Sequence, residues 1–249
     1  MLVLLPPSET KRSGGGRSVI DLTALALPQL HPQRDAVLAR LEALSADPAT
    51  AARVLGLGAT QLGEIQVNAH VRAAPTMAAI DRYTGVLYDA LDAASLDARA
   101  RRWLGANVLI QTAPLGPVGA LDRIPAYRLG AAVSLPGSAP LRRVWAAPVT
   151  DALADLSPRF VLDLRSEAYA ALGPLPGAVG SVYVRVVSEG PDGAVRALNH
   201  FNKHAKGALV RALAQQRPRI ASLGAFHDWA HAQGLRLRDG VPGEVELFA

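Results

Sequence analysis

Three short apolar runs constrain the fold of this 249-residue chain more than any other feature of its sequence. They lie at residues 2–5, 107–112 and 160–164, and each reads as a continuous hydrophobic run rather than an alternating one. Continuous runs of this length are typical of strands that are covered on both faces, as in a parallel sheet. Because helical segments lie between them, the sequence predicts an α/β fold with a central sheet flanked by helices.

The composition excludes several classes of protein. The chain contains no cysteine, which excludes a disulfide framework, a thiolate zinc site, an iron–sulfur cluster and a cysteine nucleophile. No segment approaches the roughly 18 to 20 consecutive apolar residues of a membrane span, and no signal-peptide pattern is present. We therefore expect a cytoplasmic protein without a membrane partner. No repeat or linker divides the sequence, so residues 1–249 are expected to form a single domain.

The few lysines of the chain are candidates for special chemistry. Of its 26 lysines and arginines only three are lysine, at positions 11, 203 and 206, and the net charge is +5. Arginine serves wherever positive charge alone is needed, whereas a buried lysine can lose its proton and then act as a base or nucleophile. The lysines therefore indicate places where a guanidinium will not serve; the alternative is that they remain by chance.

Polar residues follow each of the three apolar runs. If the runs are neighbouring parallel strands, their carboxyl ends meet at one edge of the sheet, where α/β proteins bind their ligands. The residues predicted to converge on one cleft there are Ser8, Glu9, Lys11, Arg128, Ser166 and Glu167.

The segment HFNKHAKG is expected to open a helix. The residues expected on one face are His200, Lys203, His204 and Gly207, with Lys206 one turn from Lys203, and an apolar stripe from Phe201 to Leu213 on the other face. A basic helix face at the rim of a cleft suits a phosphate of a nucleotide or of a nucleic-acid backbone. A solvent-exposed lysine pair is the plain alternative.

The sequence indicates neither a metal nor a cofactor. The pairs His200/His204 and His227/His231 have i, i+4 spacing, but neither contains the glutamate of an H-E-x-x-H motif. No Walker loop is present, and no G-x-G-x-x-G follows a strand.

The stretch RVLGLGATQLGEI predicts a helix-hairpin-helix element at about residues 48–70. Gly56 and Gly58 would let the hairpin backbone approach a phosphate, and Arg53 and Arg72 flank it. An ordinary tight turn between two helices gives the same pattern.

Five segments together resemble the YaaA family of bacterial peroxide-stress proteins in its actinobacterial form. They are LLPPSE followed by Lys11, YTGVLYDALD at 83–92, DRIPAYRLG at 122–130, DLRSEAY at 163–169 and HFNKHAKG at 200–207. The resemblance implies an α/β fold peculiar to the family, with a helix-hairpin-helix element and a positively charged cleft that binds DNA. It also implies a part in iron homeostasis, in which free intracellular iron is lowered and Fenton damage to DNA is limited during peroxide stress.

Two functions stay open on the sequence. In the first, the protein binds double-stranded DNA without base specificity, and the residues expected to hold it are Arg53, Gly56, Gly58, Arg72, Arg128, Ser166, Lys203 and Lys206. In the second, it is an enzyme that acts on a small anionic substrate such as a nucleotide or nucleobase. Lys11 or Lys203 is then the base or nucleophile beside Ser8. Glu9 is the proton partner, and Arg128 clamps the anionic group.

Overall fold

The computed structural model describes residues 1–177, 179–189, 195–197 and 200–248. Its α-helices are α1 (His31–Ser45), α2 (Pro48–Leu55), α3 (Gly63–Ala69), α4 (Ala79–Arg82), α5 (Val86–Leu91), α6 (Ala98–Asn107), α7 (Leu141–Asp155), α8 (Glu167–Ala170), α9 (His200–Gln216) and α10 (Leu223–Ala232). Its strands are β1 (Leu2–Leu5), β2 (Met77–Ala78), β3 (Val108–Thr112), β4 (Gly116–Gly119), β5 (Arg123–Ile124), β6 (Val161–Asp163), β7 (Ser181–Glu189), β8 (Val195–Ala197), β9 (Leu237–Asp239) and β10 (Glu244–Phe248).

The predicted α/β fold is confirmed, with a mostly parallel central sheet. The strand order is β4-β3-β1-β6-β7-β10-β9, and β8 pairs with β7. Strand β1 lies between β3 and β6 and is parallel to both, so the three apolar runs are neighbours as expected. All residues of these three strands are buried, which explains why their sequences do not alternate.

Strand β7 extends beyond the end of its neighbour β6. The last residue of β6, Asp163, pairs with Tyr183, and β7 continues from there to Glu189. The side chains of Val182, Val184 and Val186 are buried, whereas Tyr183 and Arg185 are only half-buried on the other face of the strand. The length of β7 beyond β6 therefore forms a wall above the carboxyl end of β6.

Helices α5 and α9 cross at a glycine. A Cβ atom on Gly207 would lie 2.1 Å from the carbonyl oxygen of Leu87, so only glycine permits this approach. Gly207 is therefore on a buried side of α9, and the prediction that it shares an exposed face with Lys203 and His204 is wrong. The side chains of His200 and Phe201 lie outside the described part of the chain.

The Gly/Pro-rich segment after β3 resembles a long loop in its composition, but its first part is a strand. Residues Gly116–Gly119 turn back as β4 and pair antiparallel with β3 at the edge of the sheet. An edge strand tolerates Pro117 because one side of its backbone needs no ladder hydrogen bond. The segment therefore forms the edge strand of the sheet before the chain continues to Arg128.

Local sequence signals explain how several helices begin. Helix α2 has Pro48 in its first turn, after the N-cap Asp47. Asp97 caps α6, and its side chain accepts from the N–H of Ala100. Helix α7 continues through Pro148.

The α2–α3 hairpin has the tight turn that was predicted, but a helix-hairpin-helix element is not confirmed. Gly56 ends α2 with a left-handed φ of 63°. The second helix begins as a 3-10 turn at Ala59–Gln61, and α3 follows from Gly63. The sequence GPDG at residues 190–193 is typical of a hairpin turn, and it lies outside the described residues. In the described part of the chain, no helix is long and apolar enough to cross a membrane.

Candidate functional site

A cleft of about 820 Å³ opens beyond the carboxyl ends of β1 and β6. Its walls are the segments 6–10 after β1, 84–88 at the start of α5, 166–169 after β6 and 183–186 of β7. Helix α9 contributes Asn202, Lys203 and Lys206. The volume is within the range of about 300–1,000 Å³ that is typical of small-molecule sites.

Most of the residues predicted to converge do line this cleft. They are Ser8, Glu9, Ser166, Glu167, Lys203 and Lys206. Arg128 is outside the lining, but its Nη2 atom lies 3.3 Å from Oε2 of Glu9 at the rim. Lys11 is also outside the lining. The edge of the sheet thus brings together the polar residues after β1 and β6, and it places Lys11 behind them.

The Lys11 amine holds the backbone of the loop that follows β1. Its Nζ atom donates to the carbonyl oxygens of Ser8 and Glu9, at 3.0 and 3.2 Å. It lies 4.2 Å from the ring centroid of Tyr127 and 5.5 Å from that of Tyr83. Burial lowers the pKa of the Lys11 amine to about 7. The bonds explain why an amine is present here, since they fix the wall that carries Ser8 and Glu9.

A tyrosine cluster supports the same loop from below. The hydroxyls of Tyr83 and Tyr127 are 2.7 Å apart, and Tyr88 donates to the carbonyl oxygen of Pro6 at 2.8 Å. Burial raises the pKa of all three phenols well above the usual value, so they stay neutral. The cluster is uncharged and supports the β1 side of the cleft.

Lys206 lies at the floor of the cleft. It is 4% exposed, whereas Lys203, one turn earlier on α9, is exposed. Its Nζ atom lies 5.2 Å from the ring centroid of Tyr183. Burial lowers the pKa of the Lys206 amine to about 8, Asp163 opposes that shift, and Arg185 adds to it. The two lysines are therefore not the exposed pair that the sequence allowed as an alternative.

The carboxylate of Asp163 below Lys206 is held by an arginine. Asp163 ends β6 and accepts from Nε and Nη2 of Arg165 at 2.9 and 2.7 Å. Arg165 is 1% exposed and also donates to the carbonyl oxygen of Gly173. This buried pair leaves Asp163 with little free charge for Lys206. Among the described residues, the Lys206 amine therefore has no carboxylate within 4.0 Å.

Two functional candidates on β7 were missed by the sequence analysis. Arg185 lines the cleft, donates to both carboxylate oxygens of Glu244 at 2.8 Å, and lies 3.6 Å from Glu167. Tyr183 lies two residues earlier and faces the same way. Alternation in the SVYVRVV segment placed both side chains opposite the buried valines, so a signal was available.

The hairpin residues predicted to hold phosphates lie outside the cleft lining. Arg53 is exposed beside Gly56. The N–H of Gly58 donates to Oε1 of Gln61 at 3.1 Å. Arg72 pairs with Asp35 at 2.9 Å and Glu42 at 3.1 Å. The positive charge of Arg72 is therefore largely neutralised by the two carboxylates of α1.

The hairpin is nevertheless joined to the rim of the cleft. Asn68 of α3 accepts from the N–H of Arg128 at 2.7 Å and donates to its carbonyl oxygen at 2.8 Å. Two hydrogen bonds to one residue fix the loop that carries the Arg128 guanidinium. Within the ranges that the structure describes, no group of three histidine, aspartate or glutamate side chains could hold a metal ion.

The fold and the cleft define an α/β protein with a ligand-sized site of mixed charge at the carboxyl edge of a parallel sheet. Over residues 1–239 the chain matches the family described as peroxide stress protein YaaA, and it belongs to that family. A UPF0246 protein of Corynebacterium efficiens is 42% identical over 239 residues, which cover 94% of each chain. A UPF0246 protein of Streptomyces coelicolor is 43% identical over 216 residues, which cover 86% of this chain and 82% of that protein.

Proposed function

We propose that this member of the peroxide-stress family is an enzyme that binds a small anionic molecule in the cleft. The observation that carries the proposal is the buried Lys206 amine at the floor of a cleft of about 820 Å³. A cation that is 4% exposed is costly to bury and is typical of a ligand site rather than of a solvated surface.

The distribution of charge around the cleft favours a small ligand over a nucleic-acid backbone. Glu9 and Glu167 also line the cleft, with side chains 83% and 79% exposed. Exposed carboxylates repel a continuous line of phosphates, whereas one compact anion can reach Lys206 without passing close to them. Lys203 at the rim adds positive charge along that approach.

Each proposed role follows from the position of a side chain. Lys206 and Lys203 attract the anionic group, and the hydroxyls of Ser8 and Ser166 offer hydrogen bonds from the facing walls. Lys11 is a positioning residue, since its amine is bonded to the backbone of Ser8 and Glu9. Nucleotides and nucleobases remain the first substrates to test.

Binding of double-stranded DNA is a second candidate function, and the exposed side of the hairpin is the observation that favours it. Arg53 is exposed next to the left-handed Gly56, and the chain carries a net charge of +5. Such contacts would be made to phosphates and would not depend on base sequence. Protection of DNA from iron-linked oxidation would then follow from coverage of the duplex, with no part for the cleft.

One set of binding measurements separates these two functions. Binding of AMP, pyrophosphate and a fluorescent DNA duplex is measured over a range of salt concentrations for the wild type, Lys206→Met and Arg53→Ala. We expect AMP or pyrophosphate to bind, and Lys206→Met to weaken that binding by about tenfold, the worth of one charge-assisted contact. Arg53→Ala is the matched control and should leave it unchanged.

The DNA arm tests the second function in the same samples. If DNA binds, log affinity should fall with log salt by roughly 0.9 per phosphate neutralised, and Arg53→Ala should reduce the slope. Tight duplex binding that Lys206→Met weakens and that AMP does not displace would contradict the small-ligand proposal. Indifference of all three probes to Lys206→Met would contradict the assignment of the cleft.

A further inference from the structure

We propose that the Lys206 amine condenses with the carbonyl group of its anionic ligand, so that the cleft accepts a small oxo acid or another anionic aldehyde or ketone as an imine. This inference rests on the proposed function, because it assigns the chemistry of the same cleft. It adds a covalent step and a substrate class that binding of an anion alone does not require.

The surroundings of Lys206 are those of a nucleophilic amine. The charged and titratable groups that face it are Asp163 of β6 and Tyr183 and Arg185 of β7. In the described part of the chain no carboxylate lies within 4.0 Å of its nitrogen, and Asp163, the acid whose charge acts on it, is held by Arg165. An amine without an ion pair beside a second cation loses its proton more easily than a solvated one.

The two buried lysines of the chain differ in what their nitrogen atoms touch. The Lys11 nitrogen donates to two carbonyl oxygens and lies outside the cleft lining, so it is occupied. Lys206 lines the cleft, and its nitrogen lies over the ring of Tyr183. Only the second arrangement leaves a path for a carbonyl carbon to reach the nitrogen.

An unpartnered polar atom lies on the same side of α9. The Oδ1 atom of Asn202 is buried, lines the cleft region one turn before Lys206, and has no hydrogen-bond partner among the described residues. A buried acceptor without a partner is costly, and a hydroxyl of a bound molecule would satisfy it. The hydroxyl of a carbinolamine formed on Lys206 is such a donor.

The step balances without an oxidant, a reductant or a second substrate. The ammonium of Lys206 first loses a proton to the open cleft, and its nitrogen then attacks the carbonyl carbon to form a C–N bond. The carbonyl oxygen leaves as water with the two hydrogens of the amine, and a C=N bond replaces the C=O bond. Lys203, which lines the same cleft at its rim, is placed to attract the anionic group of the ligand.

The test is reductive trapping on the intact protein. Glyoxylate, which joins an aldehyde to a carboxylate, is incubated with the protein at neutral pH together with cyanoborohydride. Peptide mass mapping then locates the carboxymethyl group. The three lysines and the terminal amine are the amines of the chain, and no cysteine competes for the aldehyde. We expect Lys206 to react at least about tenfold faster than Lys203, since burial lowers the pKa of the Lys206 amine to about 8 and leaves more of it unprotonated at neutral pH.

Controls separate selective chemistry from general reactivity. Urea should abolish the preference for Lys206, and Lys206→Arg, checked for folding by circular dichroism, should lose the fast label and keep the slow label on Lys203. Propionaldehyde, which has no charge, should select Lys206 less strongly than glyoxylate. Labelling of Lys206 no faster than of Lys203 overturns the inference.

The outcomes also distinguish this inference from the proposed function. If AMP or pyrophosphate binds in a Lys206-dependent way and glyoxylate does not select Lys206, the anion site stands and the imine is overturned. If propionaldehyde selects Lys206 and glyoxylate does not, the amine is reactive but the anionic ligand class, and with it the proposed function, is overturned.

Discussion

Lys11 lies behind the β1 wall of the cleft and Lys206 lies at its floor, and the surroundings of these two buried amines differ. Burial lowers the pKa of both, to about 7 for Lys11 and about 8 for Lys206. The Lys11 nitrogen donates to two backbone carbonyls and lies over the ring of Tyr127. Lys206 instead faces the cleft from helix α9. A lowered pKa therefore does not identify a functional amine by itself; the hydrogen bonds around the nitrogen do.

The largest expected effect on stability comes from Gly207→Ala, which should displace helix α9 and therefore Lys206, but not Lys11. In Gly207→Ala the new methyl group would meet the Leu87 carbonyl oxygen, 2.1 Å away, and helix α9 would have to leave α5. We expect a loss of about 3 kcal/mol in the free energy of unfolding, measured with urea, because neither backbone can yield locally. Anion binding at Lys206 should fall with it, while the loop held by Lys11 is unaffected.

Gly224→Ala is the matched control for that change. Gly224 also lies in a helix, α10, but a Cβ atom there would have no neighbour within 4 Å. Alanine should leave the free energy of unfolding unchanged or raise it by up to about 1 kcal/mol. Equal stability of the two alanine variants would show that α9 and α5 can separate freely and that Lys206 has no fixed place.

A second change removes the structural amine. Lys11→Met deletes two hydrogen bonds to backbone carbonyls and a contact with the Tyr127 ring, so we expect the free energy of unfolding to fall by about 2 kcal/mol. The loop that carries Ser8 and Glu9 should become accessible to hydrogen exchange, which mass spectrometry measures.

Lys203→Met is the control for Lys11→Met, because Lys203 is exposed and its loss should change stability by no more than about 0.5 kcal/mol. If Lys11→Met is as stable as the control and its β1 loop is equally protected, Lys11 is not a positioning residue. Its lowered pKa would then point back to chemistry at that amine.

The contrast between the lysines also shows how far a sequence can be interpreted. The three apolar runs correctly predicted β1, β3 and β6 as neighbours. A strand that is buried on both faces has a continuously hydrophobic sequence, which can be recognised locally. Strand β4 was missed because its glycines and proline resemble a loop, and only its pairing with β3 makes it a strand. That pairing depends on the tertiary structure, and no local sequence pattern indicates it.

The same reasoning applies to the site. The rule that ligands bind at the carboxyl ends of parallel strands placed Ser8, Glu9 and Ser166 at the cleft. It could not orient Lys11, since that amine turns toward Tyr127, a residue more than a hundred positions away in the chain. Nor could periodicity decide that Lys206 is buried, because α9 is covered on one side by α5 and on another by β7.

The smallest expected effect is a dependence of stability on pH that comes from the Lys206 amine. In the unfolded chain the Lys206 amine has its ordinary pKa of about 10.4, above the value of about 8 in the fold. Between these values the unfolded state binds more protons, so the stability of the wild type should rise with pH relative to Lys206→Met. The gain should be about 1 kcal/mol between roughly pH 7.5 and 9, measured by urea unfolding. The buried tyrosines do not affect stability in this pH range. Burial raises the pKa of Tyr83, Tyr88 and Tyr127, and their contribution to stability is lost only above about pH 10.

Parallel curves of stability against pH for the wild type and Lys206→Met would mean that the Lys206 amine is solvated in solution. In that case the cleft would have no buried amine on either side that is free to act.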